Sequence, residues 1–97
     1  MFLDNKYYNW YLAICQQAKS QNRTKTSKTY YEKHHIIPKS FGGTNESENL
    51  VLLTYREHFI CHWLLTKCCN DPIQKRKMYY AHWAMTWKRN GIQRVYT

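Results

Sequence analysis

Four of the five histidines in this 97-residue chain fall in one stretch: His34 and His35 are adjacent, and His58 and His62 stand four apart. Side chains four apart on an α-helix share a face, so the second pair can turn both imidazoles toward one cation. Neighbouring strand residues point to opposite sides, so His34 and His35 cannot easily share one task. If His34 faces the helix and completes a three-histidine metal site with His58 and His62, His35 is left as a free base. Three neutral imidazoles leave the full double charge of a divalent ion intact, and an open coordination position suits that ion to Lewis-acid work on an anionic phosphodiester. A free imidazole is largely neutral near pH 7 and can take a proton from water, which is the role open to His35. Nitrogen donors rank Zn, Ni, Co and Mn above Mg, although substrate oxygens and cellular abundance keep Mg among the candidates. A closed zinc site that only holds the fold needs a fourth ligand. Cys61 is the nearest, but one residue from His62 it faces about 100° away on a helix.

The charge distribution names a partner. Lys plus Arg number 15 against 6 for Asp plus Glu, a net charge of +9, with a pI near 9.5. Such an excess on a short chain points to a polyanion, nucleic acid before anionic lipid. Residues 19–33 hold five basic and one acidic side chain, residues 70–97 hold six and one, and residues 34–69 balance at three and three. Two basic runs thus flank a neutral, histidine-rich centre, the layout of a surface that grips phosphates around a site with another job. Arg56, at the start of a helix, can clamp a phosphate with two prongs, and Lys28, Lys33 and Lys39 can assist more loosely. Near the C-terminus Lys75, Arg76, Lys77, Lys88 and Arg89 accompany Tyr79, Tyr80, Trp83 and Trp87. That mixture suits backbone contacts and base stacking, but aromatics at helical spacing read first as core. His82, alone, reads as packing or surface.

The elements that must position these groups are legible from periodicity. Tyr7, Trp10, Tyr11, Ile14, Cys15 and Ala18 form an apolar stripe on a first helix over about 4–18, with Asp4 as N-cap. Residues 19–29 read as an exposed connection. Tyr30 to Ile37 has strand character and stops at Pro38; Phe41 to Asn45 is turn-rich; Leu50 to Leu53 returns as the partner strand. Thr54-Tyr55-Arg56-Glu57 has the form of a capping box and starts a helix running to about Cys69. Asp71-Pro72 opens a last helix over about 72–89, stopped by Asn90-Gly91. The fold class is α+β, one domain over 1–97 with a core at about 30–69. A chain of this size buries only about 60 to 65% of its unfolded surface, which makes a stabilising ion worth looking for. No apolar run reaches the roughly 18 residues of a membrane span and no signal-peptide layout is present, so a soluble cytoplasmic protein without a membrane partner is expected. Cys15, Cys61, Cys68 and Cys69 form no C-x-x-C pair and read as reduced thiols, the first two as small buried hydrophobes.

Three stretches together resemble a known family: Tyr31-Glu32-Lys33-His34-His35-Ile36-Ile37-Pro38-Lys39-Ser40-Phe41-Gly42-Gly43, Glu48 to Thr54 with Asn49, and Arg56-Glu57-His58-Phe59-Ile60-Cys61-His62. They are similar to the HNH endonucleases, in particular the small free-standing or intron-borne homing endonucleases of bacteriophages. The resemblance implies a ββα-metal (His-Me finger) core with flanking helices. It implies His34, His58 and His62 as ligands of one divalent ion (Zn, Mg, Mn or Ni), His35 as general base, and Asn49 as the residue that positions it by side chain or backbone. It also implies a metal-dependent DNA endonuclease that leaves 5′-phosphate and 3′-hydroxyl ends, acting on double-stranded DNA in the cytoplasm of a phage's host. The paired cysteines of many HNH proteins are absent and no separate DNA-reading module is evident, so the domain would nick or cut with loose preference, gain reach as a homodimer, or work beside a second DNA-bound protein. The rival reading is a nucleic-acid-binding module with a structural metal; a third is an RNA-cutting toxin.

Overall fold

The computed structural model describes residues 3–85 and the backbone of 88–89 and 92–93. Helix α1 runs Lys6–Ser20. Asn5, not Asp4, is its N-cap, because it is the Asn5 side-chain oxygen that accepts from Tyr8 N, at 3.0 Å. The helix also takes in Lys19 and Ser20, which had read as connection. Tyr11, Cys15 and Ala18 are buried, at spacings of four and three. Trp10, expected in the same stripe, is instead half exposed. It lies one position off the buried line, edge-on to Tyr7 and beside the Lys6 ammonium.

Strand β1, Glu32–His35, pairs antiparallel with β2, Leu50–Leu53, placing His34 opposite Val51 and His35 opposite Leu50. It is shorter than the 30–37 stretch read from sequence. Beyond His35 the chain leaves the ladder: Ile36 N donates to Asn49 O, and Ile37 N donates to the Asn49 side chain. Between the strands lie two short 3-10 turns, Lys39–Phe41 and Ser47–Asn49. Gly42 sits at φ 90°, a conformation that favours glycine. Gly43 is required for a different reason, since a Cβ there would stand 1.7 Å from the Ile37 carbonyl oxygen.

Helix α2, Tyr55–Thr66, begins on the expected capping box: Thr54 accepts from Glu57 N while the Glu57 carboxylate accepts from Thr54 N. It ends three residues before Cys69. Helix α3, Pro72–Ala84, begins at Asp71, whose side chain accepts from Ile73 N. It does not reach Arg89, because Lys88–Arg89 are extended as β3 and pair antiparallel with β4, Ile92–Gln93. The Asn90-Gly91 stop falls outside the described residues. Helix α2 packs against both α1 and α3, and α1 also covers β2. Tyr11, Cys15, Leu53, Cys61 and Leu65 meet where α1, β2 and α2 converge, each 1% exposed or less. Burying a side chain the size of Leu53 or Leu65 contributes roughly 2 kcal/mol, so this junction holds the hairpin and α2 in fixed relation. Arg23 adds a polar fastening from the connecting segment. Its guanidinium donates to both Glu57 carboxylate oxygens, at 2.5 and 3.0 Å, and to Leu52 O at 3.1 Å.

Candidate metal centre

Strand alternation puts Glu32 and His34 on the buried face of β1, with Lys33 exposed between them. His58 and His62 stand one turn apart on α2, which lies against that face. The three imidazoles therefore converge, with ring centroids 5.0 Å apart for His34–His58, 5.2 Å for His34–His62 and 4.8 Å for His58–His62. Each offers one ligand nitrogen, and these nitrogens all lie within 4.8 Å of one another. Among the described residues no other group of His, Cys, Asp or Glu side chains could hold an ion in this way.

Electrostatics keep the cluster in a ligating state. Burial, aided by His58, His62 and His35, holds the His34 pKa well below its ordinary value. Burial, then the neighbouring His58 and His82, brings His62 down to about 3. Both rings are neutral at pH 7, as metal binding requires. His62 Nδ1 is buried with no hydrogen-bond partner, and His62 Nε2 faces His58 Nε2 at 3.1 Å. A buried nitrogen without a partner is costly unless something outside the protein chain satisfies it, and a set of neutral imidazoles with such an atom fits a divalent cation. Cys61 does not join the three histidines; it lies in the core against Cys15. All four cysteines are free, as read from sequence, and Cys68 and Cys69 are buried along with the expected Cys15 and Cys61.

Around these rings lies a shell that sequence reasoning did not assign. Glu32 Oε1 accepts from His58 Nδ1 at 2.8 Å, and Glu32 also accepts from the Tyr30 hydroxyl. The Tyr11 hydroxyl meets His34 Nε2 at 2.7 Å. Period-two alternation was the available signal for Glu32, two residues before His34 and so on its face. For Tyr11 the only signal was core periodicity, which says nothing about its hydroxyl.

The remaining expected site residues fall elsewhere. His35 is half-buried and outside the cluster; its Nε2 is 2.8 Å from Asn45 Oδ1. Asn49 is buried, and its side chain bonds the loop instead of the His35 ring: Oδ1 accepts from Ile37 N, and Nδ2 donates to Ile37 O and Thr44 O. Its backbone carbonyl accepts from Ile36 N. The side-chain contact to the His35 ring is made by Asn45, while the Asn49 side chain fixes the loop that carries Asn45. Arg56, Lys28, Lys33 and Lys39 are all exposed, Arg56 in the first turn of α2. Lys33 shares a groove with Lys19, Asn22 and Arg23. On α3 the core reading of the aromatics fails: Met78 is buried, whereas Tyr79, Tyr80 and Trp83 are 47, 67 and 52% exposed. A helix seated on α2 along one narrow line leaves the flanking aromatics to solvent. Trp87 and the side chains of Lys88 and Arg89 lie outside the described residues. His82 packs on Phe59, with ring centroids 4.4 Å apart.

A hairpin and a following helix that bring histidines together define the class, and the comparison with known families agrees. Residues 14–66 match the HNH endonuclease family. The chain belongs to that family. It is 45% identical over 80 residues to probable mobile endonuclease D of Enterobacteria phage T4, a match covering 80% of this chain and 29% of the relative. Probable mobile endonuclease C of the same phage is 40% identical over 80 residues, covering 82% and 36%. Probable mobile endonuclease B is 47% identical over 67 residues, covering 68% and 25%. The chain thus spans about a third or less of the length of these relatives. No solved structure matches it. No helix of the described residues is long and apolar enough to cross a membrane.

Proposed function

We propose that this chain is a metal-dependent DNA endonuclease in which His34, His58 and His62 hold one divalent cation and His35 is the general base. The observation that carries the reading is the convergence of three imidazoles from a strand and a helix, with a buried His62 nitrogen left unpartnered. A divalent cation held there would polarise the phosphodiester and stabilise the departing oxygen. His35 supplies the other half of the chemistry. An amide oxygen only accepts, so the Asn45 contact places the ring proton on His35 Nε2 and leaves the Nδ1 lone pair to take a proton from water. The water oxygen attacks phosphorus, the bond to the 3′ oxygen breaks, and that oxygen takes up a proton from solvent, so the ends are a 5′ phosphate and a 3′ hydroxyl. Asn49 and Gly43 keep the loop in the shape that presents Asn45. Arg56 and the lysines Lys28, Lys33 and Lys39 grip flanking phosphates. The cation is Zn, Mg, Mn or Ni; the imidazole set ranks the transition metals first. The names of the phage relatives support endonuclease activity, and the excess of basic side chains supports a nucleic acid as the substrate.

Plasmid cleavage with and without EDTA, comparing wild type with His35→Ala, tests this. Wild type nicks or linearises the plasmid only with a divalent ion, and His35→Ala loses at least about 100-fold in rate while still binding metal. An equally active variant would overturn the base assignment. A wild type that binds DNA but cleaves with no ion would make the chain a binding module, and preference for RNA in the same assay would replace the substrate.

A further inference from the structure

Tyr11 lies outside the 14–66 stretch that matches the family, yet its hydroxyl reaches the histidine cluster. The side chain is wholly buried. Its oxygen is 2.6 Å from Ile36 O and 2.7 Å from His34 Nε2. A carbonyl oxygen has no proton to give, so the contact with Ile36 uses the single phenolic proton. The same oxygen can then only accept from His34, and Nε2 must carry the ring proton. A neutral imidazole has one N–H, and a metal-bound imidazole is neutral, so the lone pair of His34 is on Nδ1. On α2 the assignment is reversed. The Glu32 carboxylate can only accept, which places the proton of a neutral His58 on Nδ1 and its lone pair on Nε2.

We propose that Tyr11 is a positioning residue of the metal centre: it holds His34 as the Nε2–H tautomer, so that His34 ligates a divalent cation through Nδ1, while His58, held by Glu32, ligates through Nε2. The inference rests on the three-histidine reading given above. Ile36 is two residues beyond His34, so the phenol ties the ring to the continuation of its own strand and sets its rotation as well as its tautomer. Partners of this kind raise ligand basicity, and their loss typically weakens metal binding by about 10- to 100-fold. The N-terminal helix therefore takes part in the site through one oxygen atom.

The test is long-range 1H–15N NMR of the histidine rings in metal-free and zinc-loaded protein, with zinc titration calorimetry of wild type and Tyr11→Phe. In metal-free wild type His34 shows a proton on Nε2, and on adding zinc its Nδ1 resonance takes the coordination shift. Tyr11→Phe keeps the ring that fills the core, binds zinc about 10-fold or more weakly, and shows a mixture of His34 tautomers without metal. A wild-type His34 protonated on Nδ1 overturns the inference, and this measurement needs no variant. Equal zinc affinity in a folded Tyr11→Phe also overturns it while leaving the three-histidine site standing. A wild type that binds no zinc, manganese or nickel removes the metal centre itself, and the inference with it.

Discussion

Asn45 and Asn49 lie four residues apart and do different work. Asn49 makes three side-chain hydrogen bonds to loop backbone, all inside the protein. Asn45 is exposed and makes one, to the His35 ring. At about 1 kcal/mol per bond, Asn49→Ala should lower stability by about 3 kcal/mol and take activity down with the fold. Asn45→Ala, which loses one solvent-exposed bond, should cost about 1 kcal/mol or less and reduce kcat by about 10-fold. Urea denaturation beside plasmid kinetics separates the two, and similar stability losses in both variants would contradict the division. The histidines were legible in sequence because helix and strand periods fix which side chains can share a face. The split between the asparagines was not, because residue type gives a group's bonding capacity while the path of a long loop decides where that capacity goes.

At the scale of elements, the start of α2 was readable almost to the residue, since the Thr54–Glu57 box is a local pattern that needs no distant partner. Its tertiary reinforcement was invisible: Arg23 lies 34 residues before Glu57, in a stretch that read as solvent-exposed. The end of α3 was missed for a related reason, because strand pairing beyond Ala84 competes with helical periodicity and is decided outside the helix. The Arg23 contact has a pH signature. Arg23 first, with help from Thr54 and against partial burial, lowers the Glu57 pKa from its ordinary 4.5. A carboxylate whose pKa is lower in the folded state contributes stability that is present above the unfolded value and is lost as pH falls through the folded one. Arg23→Gln should therefore be less stable than wild type at pH 7, and the gap should narrow below about pH 4.5. Denaturation series at neutral and acid pH read this directly; parallel curves would assign the stabilisation to something other than the ion pair.

Over the whole molecule, basic side chains of both runs are exposed among the described residues, Lys28 and Lys33 ahead of and within β1 and Lys75 to Lys77 on α3. The core that unites these parts draws on α1, α2 and β2, so a 97-residue chain depends on contacts between segments far apart in sequence. His34 comes from the hairpin, and His58 and His62 come from α2. An ion shared by all three would rivet sheet to helix, and its stabilisation of the native state would grow with concentration, about 2.7 kcal/mol at a hundred times the dissociation constant. Calorimetric scans in EDTA and in graded zinc, manganese, nickel or magnesium should order those ions by affinity; superimposable scans would refute a shared ligand. Heat resistance would then serve as a gauge of metal preference, usable on variants too crippled to cut anything.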